Sequence, residues 1–184
     1  MRTASPQNIK NDFLAGLQDV ENTFTGVSGT TLGAASKNLI SEYAFLGASI
    51  LLEGFISDLF VAYINKNNAP FVAYLTGRME VKATDEYAKR ASGFASIDIA
   101  SHLTLEQIRS VLDPRDWNVT FPTSADLKAK AGQWLEDPYK ANFLGLSNNS
   151  CAVIEATKAI RNFLAHRSGA AKTSMQQALS NANL

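Results

Sequence analysis

The sequence predicts an all-α protein, an up-and-down helical bundle with an irregular middle segment. Three observations carry this. Residues 45–64 form one long apolar run whose bulky members recur at steps of three and four. The segments at both ends repeat that spacing and open on helix-capping residues. The middle offers a single short extended piece, at residues 117–121, too little for a sheet. At 184 residues the chain is read as one domain, with a core over about residues 36–169 and a variable middle segment over about residues 71–138.

The first helix opens at Ser5-Pro6, a cap followed by a residue whose fixed φ suits the first turn. Ile9, Phe13, Leu14, Leu17 and Val20 follow on one face. Residues 26–33, rich in Gly, Ser and Thr, read as a loop. A long helix then covers about residues 36–65, with Phe45, Ala48, Leu52, Phe55, Leu59 and Ala62 as its buried stripe and Glu53, Asp58 and Asn65 off it. That run is long enough to span a bilayer. Glu53 and Asp58 inside it would each cost roughly 2.5–3.5 kcal/mol near the bilayer centre, so a buried helix of a soluble protein is expected.

Lys66-Asn67-Asn68-Ala69-Pro70 breaks the helix. Residues 72–93 show a weak helical pattern. Thr104-Leu105-Glu106-Gln107 caps a short helix that Asp113-Pro114 ends. Pro122 closes the extended piece, and Thr123-Ser124-Ala125-Asp126 opens another helix reaching Trp134. Trp117 and Trp134 read as core or interface anchors. Asn148-Asn149-Ser150 caps the last long helix, which turns Val153, Ile154, Thr157, Ile160 and Leu164 inward and stops near Ser168-Gly169. A final short helix covers about residues 171–179, and residues 180–184 fray.

Composition narrows the function. Seventeen Lys and Arg balance 17 Asp and Glu, so there is no broad basic surface for nucleic acid. Any such contact must be local. From Ser147 onward, Lys158, Arg161, Arg167 and Lys172 face a lone Glu155. Cys151 is the single cysteine, so no intrachain disulfide or cysteine-rich metal site forms, and a cytoplasmic location fits. No apolar run follows the first residues, so a secretory leader is not expected. Asp113, Asp116 and Asp126 lack metal-ligand spacing, and Gly26, Gly29 and Gly33 lack the Lys-Ser/Thr of a phosphate loop. His102 reads as a loop or cap histidine. No metal and no cofactor are expected.

One segment points to chemistry. Arg161, Asn162 and His166 lie within a turn and a half of the last long helix. Asn162 and His166 are four apart and share a face. A guanidinium holds a phosphate, and an imidazole moves a proton near neutral pH. A neutral imidazole can take the proton of a ribose 2′-hydroxyl, and a protonated one can donate to a leaving oxygen. Basic residues before a glycine also describe an ordinary helix end, and spacing alone leaves both readings open.

Arg161-Asn162-Phe163-Leu164-Ala165-His166 resembles the Arg-x4–6-His motif of the HEPN superfamily, with a polar residue directly after the arginine. Ala48-Ser49-Ile50-Leu51-Leu52-Glu53-Gly54-Phe55-Ile56 resembles the first core helix of RiboL-PSP-type HEPN proteins, which carries an acidic residue in an apolar setting. The order of parts agrees over about residues 36–169. Many members have glycine directly after the histidine; here Arg167-Ser168 intervenes before Gly169. The resemblance implies a HEPN-type bundle, a homodimer with motif helices meeting across a two-fold axis, and metal-independent cleavage of RNA. It implies the context of a toxin or effector in an antitoxin, anti-phage or stress system, with an antitoxin or regulatory partner protein. Arg161 and His166 would be catalytic, with Asn162 holding or orienting the phosphate. Lys158, Arg167 and Glu53 would flank the substrate, Glu53 either orienting Arg161 or His166 or being a helix-boundary glutamate paired with a lysine or simply solvated. Inactive members bind RNA or a nucleotide, or only dimerise, and that is the alternative expectation.

Overall fold

The computed structural model describes residues 4–80, 82, 84–94, 99–100 and 102–182. Among them every regular element is a helix: α1 Pro6–Ser28, α2 Ala34–Lys66, α3 Ala69–Thr76, α4 Glu86–Ser92, α5 Leu105–Leu112, α6 Ser124–Trp134, α7 Tyr139–Leu144, α8 Asn148–His166 and α9 Gly169–Ala182. The expected all-α class and the up-and-down course of the long helices hold. Residues 180–182, read as part of a fraying tail over 180–184, belong to α9, where Ala182 is buried; Asn183 and Leu184 lie outside the described residues, as do 81 and 83 of the weakly patterned stretch.

Helix α2 is the spine. Helix α1 runs antiparallel along it: Phe13 stacks on Phe55 at 4.4 Å, Gly16 meets Leu51, and Val20 meets Gly47. Ser5 caps α1 through the Asn8 amide, and Pro6 takes the first turn. The helix continues through Gly26 to Ser28, so the loop expected from residue 26 begins only at Gly29. Thr23 and Ser28 donate their hydroxyls to carbonyls four residues back, which satisfies these polar side chains within the helix. Leu14, expected on the packed face, is half exposed because α2 covers only one side of α1.

The buried cluster lies at the C-terminal half of α2. Phe60, Val61 and Ile64 pack with Phe71, Leu103, Ile108, Val119, Phe121, Leu127, Trp134 and Phe143. Most of these come from the middle of the chain, so the segment read as variable supplies most of the core. Phe60 is its hub, with Phe121 and Phe143 each 4.5 Å away, centroid to centroid. The stripe expected on α2 is correspondingly misplaced. Of its members only Ala62 is fully buried, while Ser57, Phe60, Val61, Ile64 and Asn65 form the inner face. Asn65, expected off the stripe, is 4% exposed and its Oδ1 lacks a hydrogen-bond partner. Trp134 is core, but Trp117 is exposed beneath the Arg115 guanidinium.

The link from α5 to α6 is irregular and pinned at three points. Asp113 accepts the amides of Trp117 and Asn118 at 2.7 and 2.8 Å, and Asp116 and Asn118 take the left-handed conformation. The buried Ser57 hydroxyl accepts the Val119 amide at 2.8 Å. Val119 and Phe121 then enter the core, and the Thr123–Asp126 capping box starts α6. No strand forms among the described residues.

Helix α2 is long and apolar enough to cross a membrane by length and composition alone. Its carboxylates Glu42, Glu53 and Asp58 are each paired with an arginine, Arg167, Arg161 and Arg109, which is compatible with a soluble protein.

The Ser57–Val119 bond makes a measurable claim. In Ser57→Ala the Val119 amide is buried without a partner, so chemical denaturation should show a loss of about 1–3 kcal/mol. An unchanged midpoint and slope would show that this bond does not pin the segment.

Candidate functional site

Helix α8 and the cap residue Arg167 that ends it carry every residue of the expected site except Glu53. Ser147 caps it, accepting the Ser150 amide at 3.0 Å. Its inward face packs antiparallel on α2, and its far end turns at once into α9. The turn is at Arg167, not at the expected Gly169. Arg167 takes the left-handed conformation (φ 51°), its amide bonds to the Phe163 carbonyl at 2.7 Å, and Gly169 already belongs to α9. A side-chain-bearing residue thus fills a position that favours glycine. Two contacts hold it there: an ion pair with Glu42 of α2 and the guanidinium over the Phe163 ring at 5.3 Å.

The site residues divide between two faces of α8. Lys158, Asn162 and His166 follow at steps of four and line one open groove of about 510 Å³, walled by Ala170, Ala171 and Ser174 of α9 and by Pro122 and Thr123. His166 is exposed at its end. Small α9 residues leave the groove open above the imidazole. Arg161 faces α2 instead. Its Nη2 lies 3.4 Å from a Glu53 carboxylate oxygen, and its Nη1 donates to Asn162 Oδ1 at 3.0 Å. Asn162 is therefore the link between this half-buried pair and the groove. Glu53 holds the arginine rather than standing solvated, and it sits about one-quarter exposed in doing so.

Lys158 is occupied. Its ammonium donates to the Phe121 carbonyl and, at 3.3 Å, to the Pro122 carbonyl. Burial pushes its pKa below the ordinary lysine value, and Glu53, Glu155 and Asp126 partly offset that. Glu155 is occupied too. It accepts the Ser124 hydroxyl at 2.6 Å and the Ser124 amide at 3.0 Å, placing a carboxylate at the N-terminus of α6. These hydrogen bonds hold its carboxyl below the usual glutamate range.

Sequence reasoning passed over Glu42 as the partner of Arg167. The two are 125 residues apart, and only the packing of α8 on α2 joins them. It also passed over Ser174 and Thr123 as groove residues, which have no local pattern to mark them. His102 is exposed just before α5, away from this groove. Among the described residues no three His, Cys, Asp or Glu side chains gather as metal ligands. No family model, curated protein or solved structure matches the chain.

Two measurements check this geometry. The Arg167 turn stores left-handed strain, so Arg167→Ala should destabilise more than Arg167→Gly by about 1 kcal/mol, both losing the Glu42 pair. Equal stability of the two variants would place that turn elsewhere. For Glu155, the folded state binds its proton less readily than the unfolded state. Its contribution is therefore complete above the ordinary glutamate pKa of about 4.3 and fades as pH falls through the lowered value. Denaturation curves of wild type and Glu155→Gln should separate at pH 7 and converge in acid; a constant gap would remove the Ser124 contact from the account.

Proposed function

We propose that this chain is a metal-independent, HEPN-type endoribonuclease of the cytoplasm, acting as a homodimer. Its setting would be that of a toxin or effector in an antitoxin, anti-phage or stress system, held in check by an antitoxin or regulatory partner. The observation that supports it is the joining of Arg161 to Asn162 beside a groove that exposes His166. A guanidinium has five N–H donors. Glu53 and Asn162 engage part of that fork, and the arginine is about one-third exposed, so donors remain for a phosphate oxygen.

The chemistry follows from these groups. RNA enters the groove with its phosphate near Arg161 and Asn162. A neutral His166 takes the proton of the ribose 2′-hydroxyl, and that oxygen attacks the adjacent phosphorus. The bond to the 5′-oxygen breaks, and a protonated histidine donates to the departing oxygen. Charge building on the phosphate is met by guanidinium and amide donors. The products are a 2′,3′-cyclic phosphate and a 5′-hydroxyl. One protomer supplies one such histidine, so a second copy is needed for base and acid together.

A second reading has its own support. Lys158, Arg161 and Arg167 are all engaged within the fold, by carbonyls, by Glu53 and by Glu42. A non-catalytic module that binds RNA or a nucleotide, or only dimerises, would keep its cations so. Incubation with total RNA in EDTA separates the two readings. Cleavage that falls by about 100-fold or more in a folded His166→Ala variant is the expected result. Cleavage undiminished in that variant would end the nuclease reading, as would a strict need for a divalent metal.

A further inference from the structure

The N-terminal half of α2 has a third face that nothing among the described residues covers. Helix α1 takes one side through Gly47, Leu51 and Phe55, and α8 takes another through Glu42 and Glu53. Between them run Leu39, Tyr43, Leu46 and Ile50. Leu39, Tyr43 and Ile50 are 52, 64 and 56% exposed, an unusual state for three large apolar side chains in one row. At Gly54, the next turn, open space stands where a Cβ would be, so the end of the row is flat.

We infer that this row is the seam by which two copies of the chain pair, antiparallel, α2 against α2, and that it brings the two α8 ends to one side of the two-fold axis. The inference rests on the ribonuclease reading only for the use of that arrangement. The spacing argues for a second copy as the occupant. Steps of four, three and four are the repeat by which helices pack side by side, and they read the same in both directions. A two-fold interface requires such self-complementarity, because each patch must meet itself. With the axis midway between Tyr43 and Leu46, Leu39 faces Ile50 and Tyr43 faces Leu46.

Charge agrees with the same axis. A two-fold axis lying in the contact plane keeps the α8 flank of both copies on one side of the seam. Asp12 and Asp19, beside Ile50 and Tyr43 on the α1 flank, fall on the other. Glu42 lies two to three residues from the axis, roughly 4 Å along the helix at 1.5 Å per residue. Arg167 is bonded to it. Two Glu42–Arg167 pairs therefore lie on one flank of the seam, one on each side of the axis, with helix axes about 8–10 Å apart. His166 directly precedes Arg167, so the second histidine comes with the second pair.

Sedimentation equilibrium of the full chain, without RNA, tests the seam. Wild type should be a dimer at micromolar concentration. Tyr43→Asp and Ile50→Asp sit at exposed positions, so each should keep its helical signal and melting curve while weakening the dimer at least tenfold. Tyr87→Asp, exposed on α4, should leave it intact. A monomeric wild type would overturn the inference, and so would a dimer indifferent to both seam substitutions. Flotation of a monomeric chain with lipid vesicles would overturn it too, by assigning the row to a bilayer surface. A seam-dependent dimer that leaves RNA uncut sinks the nuclease reading alone. A cleaving monomer sinks the seam and the two-histidine mechanism with it, and leaves only RNA cleavage standing.

Discussion

The placement of α8 depends on two ion pairs to α2. Arg161 reaches Glu53 and Arg167 reaches Glu42, eleven residues apart on α2 and six on α8, in antiparallel order. Apolar contact between helices is non-directional and tolerates sliding. Paired charges do not, because a slip of one turn leaves three part-buried groups and the exposed Arg167 without partners. These contacts therefore fix which face of α8 is left over, and that face is the one carrying Lys158, Asn162 and His166. The groove exists because α8 is held by its other side.

The same constraint explains why the basic C-terminal segment does not behave as a free patch. Arg161 and Arg167 are spent in pairs, Lys158 is drawn toward carbonyls at the mouth of α6, and Lys172 stays exposed on α9. What remains open is a histidine and an amide, with an arginine behind them whose fork is only partly used. An arrangement of this kind suits recognition of one phosphate better than adhesion along a strand, in keeping with a chain of balanced charge. The α2 carboxylates have a matching role, since a helix this apolar would otherwise carry them unpaired.

Much of this was legible in the sequence, and what was not has a physical reason. Local signals were reliable: Ser5-Pro6, Thr104 with Gln107, and Thr123 with Asp126 each start a helix where capping chemistry requires. The break after Lys66 also followed from residue type, whereas the extended piece expected over residues 117–121 is irregular, with Asn118 left-handed. Periodicity misled on α2, because a helix packed on two sides has no single stripe. Its inner face at Ser57 and Asn65 is polar in composition, and Ser57 is buried to serve Val119. Gly26 and Gly169 looked like stops, yet neither ends a helix, since Gly29 and Arg167 have that position. In the site, Asn162 and His166 sharing a face was a matter of spacing alone. That Arg161 turns to Glu53 and leaves Asn162 as its bridge depends on where α2 lies, which no local pattern encodes. Glu42 was invisible for the same reason.

The central claim is that the α8 end performs transfer through the ribose 2′-oxygen. Identification of the ends left on a defined RNA, cut by the purified chain in EDTA, tests it most directly. Transfer through the 2′-oxygen leaves a 2′,3′-cyclic phosphate or its opened form on one fragment and a 5′-hydroxyl on the other. Fragments ending in 3′-hydroxyl and 5′-phosphate, or RNA left whole, would contradict it.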